Sequence, residues 1–413
     1  MKIRLTLIIS LFTVLGAFGQ TNILGPLNGD FEQGNINNWS AVEVSDTGTE
    51  YPLGIPGGVA LPATNAEIIG SSHTRPIYYF GTEDCLNEGA DFLLGMGSKV
   101  IKIWYYYGNE TPDVMYPWNS TWDTNVNSLV EGLEQPYIKE FFAKPFKTFV
   151  LNVAAFANKN NIYYWKDGIS KAQEDQEEEE FYQFTKALLA KYAGTGKTFI
   201  LQMHEGDWHT RGNVDANTPA SAAIHANMVK WLNARQRGVT KARNESKAPN
   251  VAVYHAAEIN IVLNSMNNGQ QNMVNAVLPY TNLDLVSYSA YDSCLKPAWG
   301  DNHSFLDAVR YIKEKMPDSP SHGDNNVYIG EFGIPENEFT PQQIQDVMKN
   351  TVNVGLSENC PYIIYWQVYD NERKYQNTPI PIHANYEARG FWLKRPNGTN
   401  SWHYNYLKSK IAE

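Results

Sequence analysis

The segment NVYIGEFG (326–333) is a short apolar run that ends in a carboxylate, Glu331, followed by Phe332 and Gly333. A run of this length between turn residues predicts a buried β-strand. The simple interpretation of the charge is a solvated strand end or a helix-capping group. The alternative is a carboxylate placed there for function, and the rest of the chain is needed to choose between the two.

Seven further apolar runs of strand length alternate with longer amphipathic stretches, which is the pattern of repeated βα units. The predicted strands are AEIIG (66–70, with IYYFG at 77–81 as an alternative), KVIKIWYYY (99–107), FKTFVLNVAAF (146–156), KTFILQMHE (197–205), NVAVYHAAE (250–258), LDLVSYSAY (284–291) and PYIIYWQVY (361–369). The predicted helices are 83–95, 172–193, 221–236, 303–315 and 341–356. Eight strands with intervening helices predict an α/β fold, a (β/α)8 TIM barrel.

The N-terminal residues differ in composition from the rest of the chain. Residues 1–20 have a basic start, an apolar run and small residues before Gln20, which predicts a cleaved signal peptide. Residues 21–63 are rich in Gly, Asn and Pro and predict a short extension, whereas 64–413 form the barrel. We therefore expect a secreted or periplasmic protein without a membrane anchor.

The composition limits the class of partner. A formal net charge of -11 argues against nucleic acid, which requires a basic surface, and favours a neutral substrate. The chain contains 11 Trp and 25 Tyr, many of them in polar segments, and flat aromatic rings in such places suit sugar rings. Three scattered cysteines predict neither a metal cluster nor a disulfide framework.

Three of the predicted strands end in glutamates, namely Glu205, Glu258 and Glu331. In a TIM barrel the chemistry gathers where the strands end. Carboxylates at these positions would be costly to bury if they were unpaired, so we expect them to converge on one site. A facing pair of carboxylates is what glycoside hydrolysis requires.

At these residues the sequence resembles the clan of TIM-barrel retaining glycoside hydrolases that includes cellulase-like endoglucanases and mannanases. The segment GEFG (330–333) is similar to the usual end of strand seven in that clan. The resemblance implies that Glu331 is the nucleophile and Glu205, at the end of strand four, is the acid/base. It implies an oligo- or polysaccharide substrate and neither metal nor cofactor.

The same resemblance assigns binding roles to further residues. Tyr291, at the end of strand six, would orient the nucleophile, and Trp366, at the end of strand eight, would lie under the sugar. His204 stands where the clan has Asn before the acid/base, and Lys102 stands on strand two where the clan has Arg.

Other candidates come from their positions in the sequence. Asp207 and Trp208 follow Glu205 closely and would raise its pKa by charge and by burial. Trp118 and Trp122, on the loop after strand two, are predicted sugar platforms, whereas Trp104 is interpreted as a core residue.

Two alternatives stay open at this point. A miscount of one strand would make Glu258 the acid/base and Glu205 a substrate contact. Without such a miscount, Glu258 and His255 are predicted to bind sugar hydroxyls or to support the site. The simple interpretation of His255 is a position in the core. The second alternative is a barrel that binds glycans without cleaving them, because one fold serves many functions.

Overall fold

The computed structural model of the protein describes residues 60–107, 111–119 and 122–413. The predicted signal peptide (1–20) and almost all of the predicted extension (21–63) lie outside these residues. Within the described part of the chain, no helix has the length and apolar character that crossing a membrane requires.

The predicted barrel is confirmed: eight parallel strands pair in sequence order, and β8 closes on β1. The strands are β1 (Ile69–Ser72), β2 (Val100–Tyr105), β3 (Thr148–Val153), β4 (Lys197–Met203), β5 (Val251–Ile259), β6 (Leu285–Ser289), β7 (Val327–Phe332) and β8 (Ile363–Tyr365). Each overlaps one predicted run. The first strand begins three residues later than predicted, and the alternative at 77–81 is not a strand.

Fourteen α-helices lie in the described part of the chain. They are α1 (Asn65–Ile68), α2 (Cys85–Met96), α3 (Pro112–Met115), α4 (Leu129–Gly132), α5 (Pro136–Ala143), α6 (Lys171–Lys191), α7 (Gly206–Arg211), α8 (Ala222–Glu245), α9 (Val262–Asn268), α10 (Met273–Ala276), α11 (Tyr291–Cys294), α12 (Ser304–Lys315), α13 (Pro341–Ser357) and α14 (Trp402–Ile411). Short 3-10 helices occupy Tyr164–Asp167, Leu278–Tyr280, Lys296–Trp299 and Asn385–Glu387. All five predicted helices are among them.

Local sequence explains where the long helices begin. Ser170 and Gln173 form a reciprocal capping box at the start of α6, and Thr340 and Gln343 do the same for α13. Each box pairs two backbone N–H groups that the first turn of a helix leaves without partners. The helices of the βα units therefore have starts that are encoded within a few residues.

Alternate residues of the strands fill the barrel interior in layers. The lower layer is apolar, and its fully or almost fully buried members include Val100, Val150, Ile200, Tyr254 and Ile364. Two residues further along the strands the interior becomes polar, with Lys102 on β2 and Gln202 on β4. All eight strands run in the same direction, so this polar layer lies at the rim where their C-terminal ends meet.

The three cysteines, Cys85, Cys294 and Cys360, are free and buried. The one disulfide that the count of cysteines allowed does not form. Each thiol occupies an apolar position, which is common for cysteine in a protein core.

Candidate active site

The three strand-end glutamates converge at the C-terminal rim of the barrel, as predicted. Glu331 is the fifth residue of β7 and is 3% exposed, and Glu258 lies in β5 and is fully buried. Glu205 follows β4, and about a third of its side chain, 36%, is exposed. Only one of the three is therefore readily accessible to solvent.

Lys102 holds the two buried glutamates together. Its Nζ lies 2.7 Å from Glu258 Oε2 and 2.7 Å from Glu331 Oε1, and all three side chains are buried. Burial disfavours a charged lysine, but the two carboxylates more than offset this and raise its pKa. Lys102 is thus a fixed cation in the position where the resemblance led us to expect an arginine.

Glu258 is surrounded by hydrogen-bond donors from the protein. Its Oε2 accepts hydrogen bonds from Lys102, from Gln202 Nε2 at 2.9 Å and from Ser287 Oγ at 2.8 Å. Its Oε1 accepts from the backbone N–H of Glu205 at 3.1 Å. Of the two roles predicted for Glu258, full burial and four donors favour support of the site over contact with sugar hydroxyls.

The carboxylate of Glu331 is held from two sides. Besides Lys102 on Oε1, Ser289 Oγ donates to Oε2 at 3.2 Å. Burial alone would raise the pKa of Glu331, but Lys102 and then His204 lower it to about 2. Glu331 is therefore an anion in a dry place, which is the state a nucleophile requires.

Tyr291, predicted to orient Glu331, does not donate to it; the hydroxyl that does is that of Ser289. Tyr291 lines the same cleft, and its phenol is affected by the negative charge of Glu331. Burial first, and then the charge of Glu331, raise the pKa of Tyr291 well above its usual value. Tyr291 is thus a neutral phenol beside the carboxylate.

Glu205 has an unusual backbone conformation. Its φ of 46° and ψ of 54° are left-handed, which few residues other than glycine adopt, and such strain is concentrated at functional sites. The next residue, Gly206, has no room for a side chain, since a Cβ there would lie 2.7 Å from the carbonyl oxygen of Glu258. The turn after β4 therefore places Glu205 at the rim, where its side chain is partly exposed.

The surroundings of Glu205 favour its protonated form. Burial is the largest cause that raises its pKa; His204 opposes it, and the charges of Glu331 and Glu258 add to it. The pKa values of Glu205 and Glu331 are thus pushed in opposite directions, which is how one site makes one carboxyl an acid and the other an anion.

His204 lies among the three carboxylates. Its Nδ1 is 3.9 Å from Glu205 Oε2, and its Nε2 is 3.7 Å from both Glu258 Oε1 and Glu331 Oε1. Burial lowers the pKa of His204, but contact with Glu331 and the neighbouring negative charges raise it overall. Its charge thus balances the site, whereas the asparagine of the resembled clan would be neutral.

His204, Glu258 and Glu331 also present ligand atoms within 4.8 Å of one another, a spacing that a metal ion could use. However, the ammonium group of Lys102 already contacts both carboxylates at 2.7 Å. A divalent ion there would meet a fixed positive charge, so this donor set fits a metal poorly.

These groups open into a cleft of about 570 Å3 at the rim of the barrel. It is lined by Thr74, Arg75, Trp104, His204, Glu205, Tyr291, Leu295, Glu331, Trp366, Asn371, Glu372, Arg389 and Phe391. Its size suits a small organic ligand such as one or two sugar units. Five of the predicted site residues, His204, Glu205, Tyr291, Glu331 and Trp366, are therefore brought to one place.

Trp104 was predicted to be in the core and instead lines the cleft. Its ring packs edge-on against Trp366 and His204, with centroid distances of 5.6 and 4.9 Å. The alternation along β2 indicated that Trp104 and Lys102 face the same side, and that signal could have placed Trp104 correctly. Arg389 and Glu372, which come from loops after β8, carried no comparable sequence signal.

Asp207 and Trp208 do not line the cleft. Asp207 is fully buried in the first turn of α7, and its two oxygens accept backbone N–H groups of Asn260 and Met273 at 2.8 and 2.9 Å. Burial raises the pKa of Asp207 to about 6, and its hydrogen bonds join α7 to neighbouring segments. Strand β4 ends at Met203, so the alternation of side chains along a strand does not extend to Asp207.

The two loop tryptophans are also outside the cleft. Trp122 stacks on Tyr137 with centroids 3.7 Å apart and planes 5° apart, so one face of its indole is covered. Trp118 is 37% exposed and packs against Tyr79 at 4.7 Å. Their predicted role as sugar platforms beside the catalytic glutamates is therefore not supported by their positions.

His255 is a core residue, as its simple interpretation predicted. It is fully buried on β5 and packs edge-on against Phe181 at 5.6 Å. Burial, together with Arg235 and Arg243, lowers its pKa well below the usual value, so the ring is neutral.

Comparison with known proteins shows similarity in fold. No family model matches this chain, and no curated protein sequence matches it. Among solved structures, GH5_18 from Streptomyces cattleya in complex with GlcNAc superposes with a TM-score of 0.51 at 10% sequence identity, over 85% of this chain and 80% of that one. The exo-beta-1,4-mannosidase from Opitutaceae bacterium strain TAV5 gives 0.50 at 12% identity, over 84% of this chain and 59% of that one.

A variant of the same Streptomyces cattleya protein, in complex with Manb1-4GlcNAc, gives a TM-score of 0.50 at 10% identity, over 84% of this chain and 80% of that one. At such low identity the likeness is one of fold. It agrees with the resemblance seen in the sequence, and the chain has the (β/α)8 barrel of these proteins.

Proposed function

We propose that the protein is a retaining glycoside hydrolase that cleaves β-linked glycans with Glu331 as nucleophile and Glu205 as acid/base. The observation that carries the proposal is the opposite tuning of these two carboxyls at one cleft. The pKa of Glu331 is lowered to about 2, whereas that of Glu205 is raised. Glycosidases require one ionised and one protonated carboxyl, and the retaining course is taken from the resemblance described in the sequence analysis.

In the first step an oxygen of Glu331 attacks the anomeric carbon while the glycosidic C–O bond breaks. Glu205 donates its proton to the departing oxygen, and a glycosyl ester on Glu331 results. In the second step water attacks the same carbon, Glu205 takes the proton of the water, and Glu331 is released as a carboxylate. Besides the glycan and one water molecule, the two steps as proposed involve Glu331 and Glu205.

The surrounding residues support these steps. Lys102 and Ser289 fix the orientation of Glu331, so little reorganisation is needed when the bond to carbon forms. Trp104 and Trp366 provide aromatic surface for a sugar ring beside it. The accessible Glu205 is the acid/base in this proposal, because the buried Glu258 could not reach a leaving group.

The first experiment is a screen of the purified protein on β-glucans, mannans, xylans, galactans and Manβ1-4GlcNAc, the disaccharide found in one of the structurally similar proteins. Glu331→Gln and Glu205→Gln are measured beside the wild type, and Glu258→Gln is the matched control for the rival acid/base. We expect Glu331→Gln to lower kcat by about 10⁴-fold or more. Proton NMR of the first product should show a retained anomeric configuration.

Each outcome separates the alternatives. Full activity in Glu205→Gln with loss in Glu258→Gln would move the acid/base to Glu258, and an inverted product would exclude a covalent intermediate. Saturable binding of a polysaccharide by the wild type without hydrolysis would favour the barrel that only binds glycans.

We also propose that the protein is exported, because residues 1–20 have the pattern of a signal peptide. N-terminal sequencing of the protein recovered from the medium or periplasm should begin near residue 20. Recovery of the intact Met1 terminus from the cytoplasm would contradict this.

A further inference from the structure

A second cavity of about 370 Å3 adjoins the cleft, and Trp104 and His204 line both. We call it the side cavity; it is lined by Trp104, Tyr106, Met115, Asn152, Val153, Ala154, Asn160, Asn161, Ile162, Tyr163, Met203, His204, His209, Trp231 and Arg235. The mechanism proposed above uses none of these residues except His204 and Trp104. The side cavity is therefore space beside the catalytic pair that still needs an explanation.

Asn152 is the most unusual residue of the side cavity. It is 2% exposed, and neither its amide oxygen nor its amide nitrogen has a hydrogen-bond partner among the described residues. Gln202, its neighbour in register on β4, has two partners, because it donates to Glu258 and accepts from Tyr328. A buried amide with no partners costs stability, so its presence at a cavity wall suggests a ligand that pairs with it.

A second unpaired group lies on the same wall. His209, on α7, has a buried Nδ1 without a partner in the described structure, and burial lowers the pKa of this histidine to about 3. The imidazole is therefore neutral, and its Nδ1 offers either a donor or an acceptor, depending on the tautomer. The side cavity thus offers both kinds of hydrogen-bonding group without a net charge from these residues.

The only cation that lines the side cavity besides His204 is Arg235, and its charge is already balanced. Its Nε donates to Glu177 at 2.8 Å, and both side chains are buried. Its guanidinium also stacks on Trp231 at 3.6 Å from the ring centroid. Because Glu177 neutralises Arg235, the side cavity does not select for an anion.

Aromatic side chains form a further part of the lining. Trp104, Tyr106 and Tyr163 contribute aromatic surface, whereas Trp231 is covered by Trp165 and Arg235. Flat apolar faces combined with paired donors and acceptors match a pyranose ring, which has apolar C–H faces and hydroxyls at its edge. A charged or wholly apolar ligand would leave one of these two features unused.

We propose that the side cavity binds a neutral sugar unit of the same glycan whose neighbouring unit lies at Glu331, with Asn152 as the main determinant. This inference rests on the proposed function for its link to cleavage. It implies a substrate with at least one additional sugar, and it makes Asn152 a residue that selects the substrate without taking part in bond breaking.

The test uses the variant Asn152→Leu in the full protein. Leucine is close to asparagine in shape and removes only the unpaired amide, so we expect a melting temperature equal to or above that of the wild type. Binding of D-mannose, D-glucose and N-acetylglucosamine, followed by calorimetry, should be saturable in the wild type and weakened about tenfold in the variant. KM for an oligosaccharide should rise by a similar factor.

Thr351→Val is the matched control. Thr351 lies on α13, is fully buried, and its hydroxyl has no partner in the described part of the chain, yet it lines neither cavity. The same kind of polar deletion there should leave sugar binding and KM unchanged.

The result that overturns the inference is sugar binding and KM that are the same in Asn152→Leu as in the wild type. Tighter binding of glucuronate than of the neutral sugars, lost in Asn152→Leu, would overturn the neutral class. Failure of the proposed function is a separate outcome. If the wild type hydrolyses no glycan but binds sugar in a way that depends on Asn152, the proposed hydrolase activity is contradicted and the sugar site is supported.

Discussion

The two interior layers of the barrel are two residues apart along each strand and differ completely in chemistry. The lower layer contains Val100, Val150 and Ile200, which are buried and apolar. The upper layer contains Lys102 and Gln202, equally buried but polar or charged, together with Glu258 and Glu331. The comparison indicates that burial alone does not define a core: the lower layer stabilises the barrel, whereas the upper layer is tolerated only because every charge in it is paired.

The largest effect should follow from Lys102→Met. Two buried carboxylates would then face each other without a cation, and breaking a buried ion pair in this way costs about 3–5 kcal/mol of unfolding free energy. Denaturant unfolding measures that loss. Lys102→Met combined with Glu258→Gln should recover most of the stability; if it does not, the layer is not held by charge pairing.

The same variant should change the pH dependence of stability. The pKa of Glu331 is lowered to about 2 in the folded protein, so its ionised form stabilises the fold above the usual range of glutamate. That contribution is lost as the pH falls from the usual value toward about 2. Without Lys102 burial is no longer offset, so this contribution should be largely absent and the fall in stability on acidification should be smaller than in the wild type. Melting curves between about pH 3 and about pH 7, which span the usual glutamate pKa, would show the difference.

Ile200→Ala tests the lower layer. Removing a buried branched side chain costs about 2–5 kcal/mol, because the cavity is not refilled. Activity measured well below the melting temperature should keep its pH profile, since no charged group is touched. A shift of the profile would show that the two layers are coupled.

His204→Asn introduces the residue that the resembled clan has before its acid/base. Loss of the imidazolium removes a group that lowers the pKa of both Glu205 and Glu331, so both limbs of the profile of kcat/KM against pH should move to higher pH. A shift of about one pH unit is expected for one charge at this distance. Unmoved limbs would mean that His204 is neutral in the working enzyme.

The smallest effect is expected for Ser289→Ala. Glu331 would lose one hydrogen bond but keep Lys102, and one such bond is worth about 1 kcal/mol, or about fivefold in kcat/KM. Tyr291→Phe is the matched control, because its hydroxyl does not donate to Glu331. A larger loss in Tyr291→Phe than in Ser289→Ala would restore the role first predicted for Tyr291.

Most of the barrel could be predicted from the sequence because its signals are local. Each strand is a short apolar run such as 326–333, and each long helix begins at a capping residue such as Ser170 or Thr340. Positions were hardest to predict beyond the strand ends: Asp207, Trp118 and Trp122 lie outside the cleft, because no local pattern fixes where a side chain after a strand will lie.

The sequence by itself determined the eight βα units and the glutamates at the strand ends, because each depends on neighbours a few residues away. Only the tertiary structure decided which glutamate is exposed and which is a support, because Lys102 meets partners 156 and 229 residues further along the chain. The choice between Glu205 and Glu258 depends on burial and on the number of donors to each, and these contacts exist only once the barrel has closed.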